Sequence, residues 1–414
     1  MFYLPPALTH RKFFYLWLGL LISVAGSQMQ FAAIHWHVRE LTGEPNPLAL
    51  GGIGLARILP VFIFSILGGA VADNYNRRKI LLLTQSIAAL QAAALAYLTI
   101  TNQITVWHIY LLTAIQAATM AFDLPARQAM VPNLVSREHL PSAFSMSSVA
   151  FNTGAIVGPL LFGVIPEGGQ GFAYLFNSIS FLAVILALFF MGNVQQDLNR
   201  AGGVNVRSMW DGVKFIFTRP LILSTMMMDF VATFFASANT MLPIVARDIL
   251  FVGKAGYAWL VSSQAIGSVV AGIIVSQIKE LRKQGPLFLT AVTLFGLATV
   301  WFGLSRTFIP AMVALLFIGV GDAVSTVIRN TIRQLQTPDH IRGRMTSVNQ
   351  IFFMGGPQLG EVEAGVAASL FGVPFAIVSG GIGCIVGMLL IIWKWPQLIS
   401  YNGNEPTLAT APAD

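Results

Sequence analysis

Charge is scarce in this chain. Of its 414 residues only 10% are Asp, Glu, Lys or Arg, whereas soluble domains carry about 25%. So few charged side chains cannot cover a water-facing surface, and an ordinary soluble protein is excluded. With 55% of the residues hydrophobic, most of the outer surface must face hydrocarbon. Cysteine is scarcer still. Cys384 is the single one, so the chain can form no intrachain disulfide and offers no thiolate cluster for a metal. A zinc motif of the HExxH type and a phosphate loop ending in Gly-Lys-Ser/Thr are both missing. No enzyme chemistry, metal or cofactor is therefore expected.

What the chain has in abundance is apolar length. About 20 apolar residues cross roughly 30 Å of hydrocarbon as a helix, and that ruler gives twelve spans. The first six are Phe13–His37, Leu48–Ala72, Ile80–Ile100, Val106–Ala126, Leu140–Ile165 and Phe172–Gly192. The second six are Leu221–Ala246, Tyr257–Ile278, Leu287–Leu304, Pro310–Thr331, Met345–Leu370 and Val373–Trp393. The first run is too long for a cleavable signal and reads as a retained helix. The expected fold is all-α: residues 1–192 form one six-helix bundle, 221–396 a second, and 193–220 a linker. Trp210, Val213 and Phe217 recur in that linker at helical spacing, which predicts an amphipathic helix on the membrane surface. Residues 397–414 are polar and read as a disordered tail.

The net charge of +7 follows from topology and does not call for a nucleic-acid partner. Nineteen of the 24 Lys and Arg residues fall on one side of the twelve spans. Only Arg39, Arg247, Lys254 and Arg306 fall on the other, and Arg57 lies inside the second span. Basic loops stay in the cytoplasm, so both termini are expected there, in an inner or plasma membrane. An internal repeat supports two equivalent halves. Arg127-Gln128 followed by Pro132 recurs as Arg333-Gln334 followed by Pro338, 206 residues later. Duplicated halves are how many carriers build a midplane site between two bundles.

The most specific string is GGAVADNYNRRK, Gly68 to Lys79. A small residue at Gly69 lets two helices touch, and Asp73 can meet a helix N-terminus and local guanidinium groups as a latch. The corresponding stretch Gly272 to Lys283 has Ser276 in place of the acid. With Gly69, Asp73, Tyr75, Arg77, Arg78 and Lys79, the string resembles the loop signature of the major facilitator superfamily; Val71, Asn74 and Asn76 depart from it. In the fifth span, Gly154, Gly158, Pro159 and Gly163 are spaced to form a groove and a pivot. They resemble the glycine-proline motif of the superfamily's exporter branch, with Phe162 in place of one glycine. AFDLPARQAMVPNLV, LPIVARDIL, RGRMTSVNQ and QLGEVEAG resemble the exporter family that contains enterobactin and macrolide efflux proteins.

The resemblance implies a major facilitator fold in two pseudo-symmetric bundles and export of a small amphipathic molecule, a siderophore, macrolide or other drug, against inward proton flow. A symporter importing a small metabolite on the same fold is the alternative. The expected partners are that small molecule, protons and the lipid bilayer, and the expected state is monomeric. The cavity would be lined by the first, fourth, seventh and tenth spans, with Gln28, Arg57, Gln116 and Asn239 as polar contacts.

A charge at the centre of a span costs about 2.5 to 3.5 kcal/mol even on the lenient insertion scale, so each needs a reason. Asp123 and Arg127 stand four apart on one helix face and can pair. They are expected in a cytoplasmic gate with Gly69, Asp73, Arg77 and Arg78, or as a purely structural ion pair. Asp229, Asp322 and one of Glu361 and Glu363 are proton-coupling candidates, because a carboxylate taken out of water accepts a proton more readily. The two glutamates are about 200° apart around a helix and cannot face one cavity. Arg57 either neutralises an anionic substrate or pairs with a buried acid. His35 and His37 flank Trp36 near the outer end of the first span and read as an interfacial anchor.

Overall fold

The computed structural model describes residues 5–194, 214–278 and 281–403, apart from a few side chains of which Asp73 is one. Twelve long helices account for most of these residues, and no strand occurs among them. In the first half they are α1 (Arg11–Leu41), α2 (Pro47–Asn74), α3 (Arg77–Ile100), α4 (Val106–Met130), α5 (Leu140–Val164) and α6 (Gln170–Met191). In the second half they are α7 (Pro220–Phe235), α8 (Gly253–Ser276), α9 (Gln284–Leu304), α10 (Phe308–Leu335), α11 (Asp339–Phe371) and α12 (Val373–Lys394). Eleven stretches among the described residues are long and apolar enough to cross a membrane, α7 being counted with the turns that extend it to Ile249. The remaining helix, α11, carries Asp339, Arg342, Arg344, Glu361 and Glu363 along its length.

Local chemistry sets the ends. Asn76 caps α3 by accepting from the Lys79 amide at 3.2 Å. Thr105 opens α4 with a reciprocal box in which His108 accepts from the Thr105 amide, satisfying donors a helix start leaves bare. Gly372 ends α11 at a φ of 88°, in the left-handed region that glycine enters without penalty, and Pro374 follows at the start of α12. The seventh span is not one continuous helix. After Phe235 the chain passes through a 3-10 turn at Ala238–Met241 and a π-helical turn at Val245–Ile249. Pro243 lies between them, has no N–H to donate to the preceding turn, and its ring crowds that turn's carbonyl. The Thr233 and Ser237 hydroxyls also bond back to carbonyls four residues earlier, at 2.7 Å each, which bends helices.

Large apolar side chains such as Leu90, Phe190 and Trp393 are more than two-thirds exposed. They make sense only against lipid. The two halves repeat one packing scheme. In the first half α1 packs on α5 and α6, and α3 on α4 and α6. In the second half α7 packs on α11 and α12, and α9 on α10 and α12.

Contacts divide the chain into two compact units, Met1–Glu44 with Ala56–Val204 and Gly253–Ser262, and Pro45–Leu55 with Asn205–Val252 and Ser263–Asp414. Compactness therefore departs from chain order at the starts of α2 and α8. In the second unit Gly51 of α2 lies against Gly365 of α11, where an added Cβ would sit 3.0 Å from the Gly365 Cα. In the first unit Tyr257 of α8 donates to the Ala32 carbonyl of α1 at 3.1 Å.

Several expectations are corrected. Residues 397–403 are not loose: Leu398 and Tyr401 are buried, and the Gly285 amide at the start of α9 donates to the Tyr401 carbonyl at 2.8 Å. Residues 404–414 lie outside the described residues, as does most of the linker with Trp210 and Val213; residues 214–218 are helical. His35, Trp36 and His37 are all buried, and His37 bonds the Tyr174 hydroxyl at 3.0 Å. They face protein rather than the membrane interface. Finally, a side chain at Gly69 would meet nothing within 4 Å, whereas one at Gly68 would run into the Ala121 carbonyl of α4. The close approach of α2 to α4 rests on Gly68.

Gly68→Ala should therefore lower the thermal unfolding midpoint in detergent. Gly69→Ala should leave it unchanged or raise it, since alanine favours a helix over glycine by up to about 1 kcal/mol. Gly158→Leu, which overpacks the α1–α5 contact, should destabilise by about 1 to 3 kcal/mol in the same assay.

Candidate functional site

Three of the polar groups that interrupt the apolar interior contain candidate residues. The first lies in the second unit. Asp322, Ser325 and Arg329 fall on one face of α10 because they are three and four residues apart. From that face the Arg329 Nη1 reaches Asp229 Oδ1 on α7 at 2.8 Å, while Nη2 lies 4.0 Å from Asp322 Oδ1. The two carboxylates differ sharply in setting: the Asp229 side chain is 2% exposed and that of Asp322 39%. With Thr233 and the rings of Phe288 and Phe295 they line a narrow pocket. One guanidinium thus stands between a buried acid and an accessible one. Arg333, one turn further along α10, is buried and takes a hydrogen bond partner in Asn330.

The sequence candidates Glu361 and Glu363 are not in this pocket. Glu361 is buried where α11 meets α2, and Gly54 makes room for it: an added Cβ there would lie 2.6 Å from the Glu361 Cβ. Glu363 is half-buried.

The second group surrounds the start of α3. Asp123 on α4 is buried and pairs with Arg127 one turn on. Its Oδ1 also accepts from Thr84 at 2.9 Å and Gln85 at 2.7 Å, both on α3. Arg77 donates to the Ala72 carbonyl at 3.2 Å and to the Ala129 carbonyl and Asn133 Oδ1 at 3.0 Å. Arg78 donates to the Leu188 carbonyl of α6 at 2.8 Å. Two cations at a helix N-terminus oppose its dipole. Here they reach the carbonyl ends of α2, α4 and α6, where positive charge is favourable. The Asp73 side chain lies outside the described residues.

The third group, which the sequence reading missed apart from Gln116, is a cluster of amides inside the first unit. Gln30 of α1 donates to Gln91 of α3 at 3.3 Å and to Gln116 of α4 at 3.2 Å. It accepts from Asn177 of α6 at 2.8 Å. Gln30 and Asn177 are fully buried. The signal was present as four amides in four apolar spans, but amides carry a weaker hydropathy penalty than charges. The other cavity candidates are scattered. Gln28 lies under Gly158 on the α1–α5 contact, Asn239 is exposed in the broken part of the seventh span, and Arg57 stacks over Phe31 at 4.9 Å. Gly154 and Gly158 both receive α1, where added Cβ atoms would lie 2.9 Å from the Ala25 amide and 2.6 Å from its carbonyl. Gly163 instead faces Ala258 of α8, and Pro159 is buried inside α5.

The repeat of 206 residues relates these groups. It sets Arg333 against Arg127, Arg329 against Asp123, and Asp322 against Gln116. The first half keeps a neutral amide where the second has a carboxylate, and a buried acid where the second has a buried base. No cluster of metal-ligating side chains occurs among the described residues.

Curated relatives align over nearly the full chain. An enterobactin exporter from Citrobacter koseri is 23% identical over 389 residues, covering 93% of this chain and 92% of its own length. The enterobactin exporter of Salmonella typhimurium is 22% identical with the same coverage. Among solved structures, a POT family transporter in complex with 5-aminolevulinic acid superposes with a TM-score of 0.74 at 12% identity, covering 92% of this chain and 96% of that one. A bacterial homologue of the human lysosomal transporter Spinster, inward-facing, gives 0.69 at 14% identity with 97% and 99% covered. These structures share the major facilitator fold. Residues 4–405 match the model of the transmembrane secretion effector family, and the protein belongs to that family of major facilitator transporters, which are membrane carriers and not enzymes.

Proposed function

We propose that the protein exports a small amphipathic molecule from the cytoplasm or inner leaflet by alternating access, with protons flowing inward to drive it. The Asp229–Arg329–Asp322 arrangement carries this reading. Two ions buried from water are costly unless each answers the other, and removing one leaves the partner's charge exposed to the low dielectric. A proton taken up on Asp229 would leave Arg329 without its 2.8 Å counter-ion. The guanidinium would then be drawn toward Asp322, at 4.0 Å in this state. A short movement of α10 relative to α7 within the second unit would follow, coupling proton occupancy to conformation.

The gate would be the group around α3. Arg77 and Arg78 bind helix ends on the side that carries most of the basic loops, which the positive-inside rule assigns to the cytoplasm along with both termini. Asp123, held by Arg127, would brace α4 against α3 through Thr84 and Gln85 in the same closed state. Glu361, at the α2–α11 contact, has a packing role in this scheme, and Glu363 a minor one. Outward direction, an inner-membrane location and a siderophore-like cargo are supported by the exporter relatives. A monomer is sufficient for the mechanism.

Asp229→Asn should reduce gradient-driven accumulation of enterobactin in everted vesicles by about tenfold or more, a change of about 1.4 kcal/mol. Gradient-free counterflow should persist. Equal loss of both would assign Asp229 to folding or binding instead of coupling. In wild-type everted vesicles with an acid interior, enterobactin should dissipate the pH gradient. Accumulation by right-side-out vesicles under an acid exterior would establish import in its place.

A further inference from the structure

The amide cluster of the first unit has a donor surplus that the protein itself does not use. Gln30 Nε2 spends its donors on the carboxamide oxygens of Gln91 and Gln116, and Gln30 Oε1 accepts from Asn177. Asn177 Oδ1 in turn accepts from Ser180 at 3.0 Å. The amide oxygens are thus engaged. Two groups on the α3 and α4 side are not: among the described residues, the Gln91 amide nitrogen Nε2 and the Thr113 hydroxyl Oγ1 are buried with no hydrogen-bond partner. Gln91 and Thr113 are 3% and 4% exposed. A buried donor left unmet is destabilising by about 1 to 3 kcal/mol, and more than nine in ten such groups are satisfied.

Geometry keeps these donors together. The oxygens of Gln91 and Gln116 both touch one nitrogen of Gln30, and each amide nitrogen is bonded to the same carbon as its oxygen. Thr113 precedes Gln116 by three residues and shares its face of α4. Gln116 is half-buried where Gln30 and Asn177 are fully buried, so of the four amides the one on α4 is more exposed than these two. Among the described residues the cluster's hydrogen bonds run between amides and to the Ser180 hydroxyl, not to a carboxylate or cation. The repeat sets Asp322 at the place of Gln116 in the other half, so at this position the second half has a carboxylate and the first a neutral amide.

We propose that Gln91, Thr113 and Gln116 form a binding subsite for an uncharged, acceptor-bearing part of the transported molecule, a carbonyl, ether or hydroxyl oxygen. Gln30 and Asn177 are positioning residues that fix the amides. The unmet Gln91 amide can only donate and so selects an acceptor, to which the Thr113 hydroxyl can donate as well, and the lack of a charged side chain in the cluster favours a neutral group over an anion. The subsite rests on the transport reading but does not require protons. Recognition of the cargo falls to the first half and energy coupling to the second.

Thr113→Val is the cleanest test, because the hydroxyl has no protein partner to strand and the shape is kept. Binding of three probes to the purified full-length protein in detergent is followed by intrinsic tryptophan fluorescence. Enterobactin and erythromycin are rich in oxygen acceptors, and tetraphenylphosphonium has none. The wild type should bind at least one of the first two. Thr113→Val and Gln91→Leu should each weaken that binding by about tenfold, and Thr113→Ser, which keeps the hydroxyl, should retain it. Unchanged affinity in a stably folded Thr113→Val protein overturns the subsite, as does a wild type that binds tetraphenylphosphonium alone or neither acceptor-rich probe. A wild type with the expected binding pattern but no gradient-driven flux instead overturns the transport reading and leaves the subsite standing.

Discussion

A guanidinium held away from water needs a carboxylate within reach, and in the second unit Arg329 has one at 2.8 Å and another at 4.0 Å. The packing of α7, α9 and α10 is arranged around that requirement. Phe288 and Phe295 line the pocket beside the pair, and Asp322 is the more exposed of the two acids. In hydrocarbon such a group is tolerated only when it is answered inside the protein or lines a hydrated path. The first unit meets the same constraint differently, by giving Asp123 an arginine and two neutral donors and by gathering amides where the other half keeps an acid.

Close helix contact is what allows these polar groups to meet. Lipid tails are as apolar as leucine, so helices in a bilayer associate through backbone proximity and hydrogen bonds more than through exclusion of water. Gly154 and Gly158 bring α5 onto α1, and Gly296 with Gly381 bring α9 onto α12. Gly51, Gly54 and Gly365 do the same for the start of α2 against α11. A side chain at most of these positions would push apart the helices on which the site residues stand.

Much of the fold was legible in the sequence, since span length and apolar density are properties of short windows and survive any tertiary arrangement. The duplicated arginines at 127 and 333 revealed the repeat for the same reason. What pairs with what was not legible. Asp229 and Arg329 are 100 residues apart, and nothing local in either helix says that they touch. Gln30, Gln91 and Asn177 passed as tolerated polar residues because an amide interrupts an apolar run only slightly. Gly68 and Gly69 are indistinguishable until the neighbouring carbonyl is placed. The segment after Gln397 looked loose because its composition is polar, yet Leu398 and Tyr401 are buried at the start of α9.

That last docking makes the segment part of the lid on a helix end. The first amides of a helix lack partners within it, and α9 obtains one from the Tyr401 carbonyl, with Gly403 against the Gln284 side chain. Affinity tags and reporter fusions joined upstream of Gly403 would strip that cover and loosen the end of α9 that leads into the charged pocket. Joined beyond it, they leave the helix sealed.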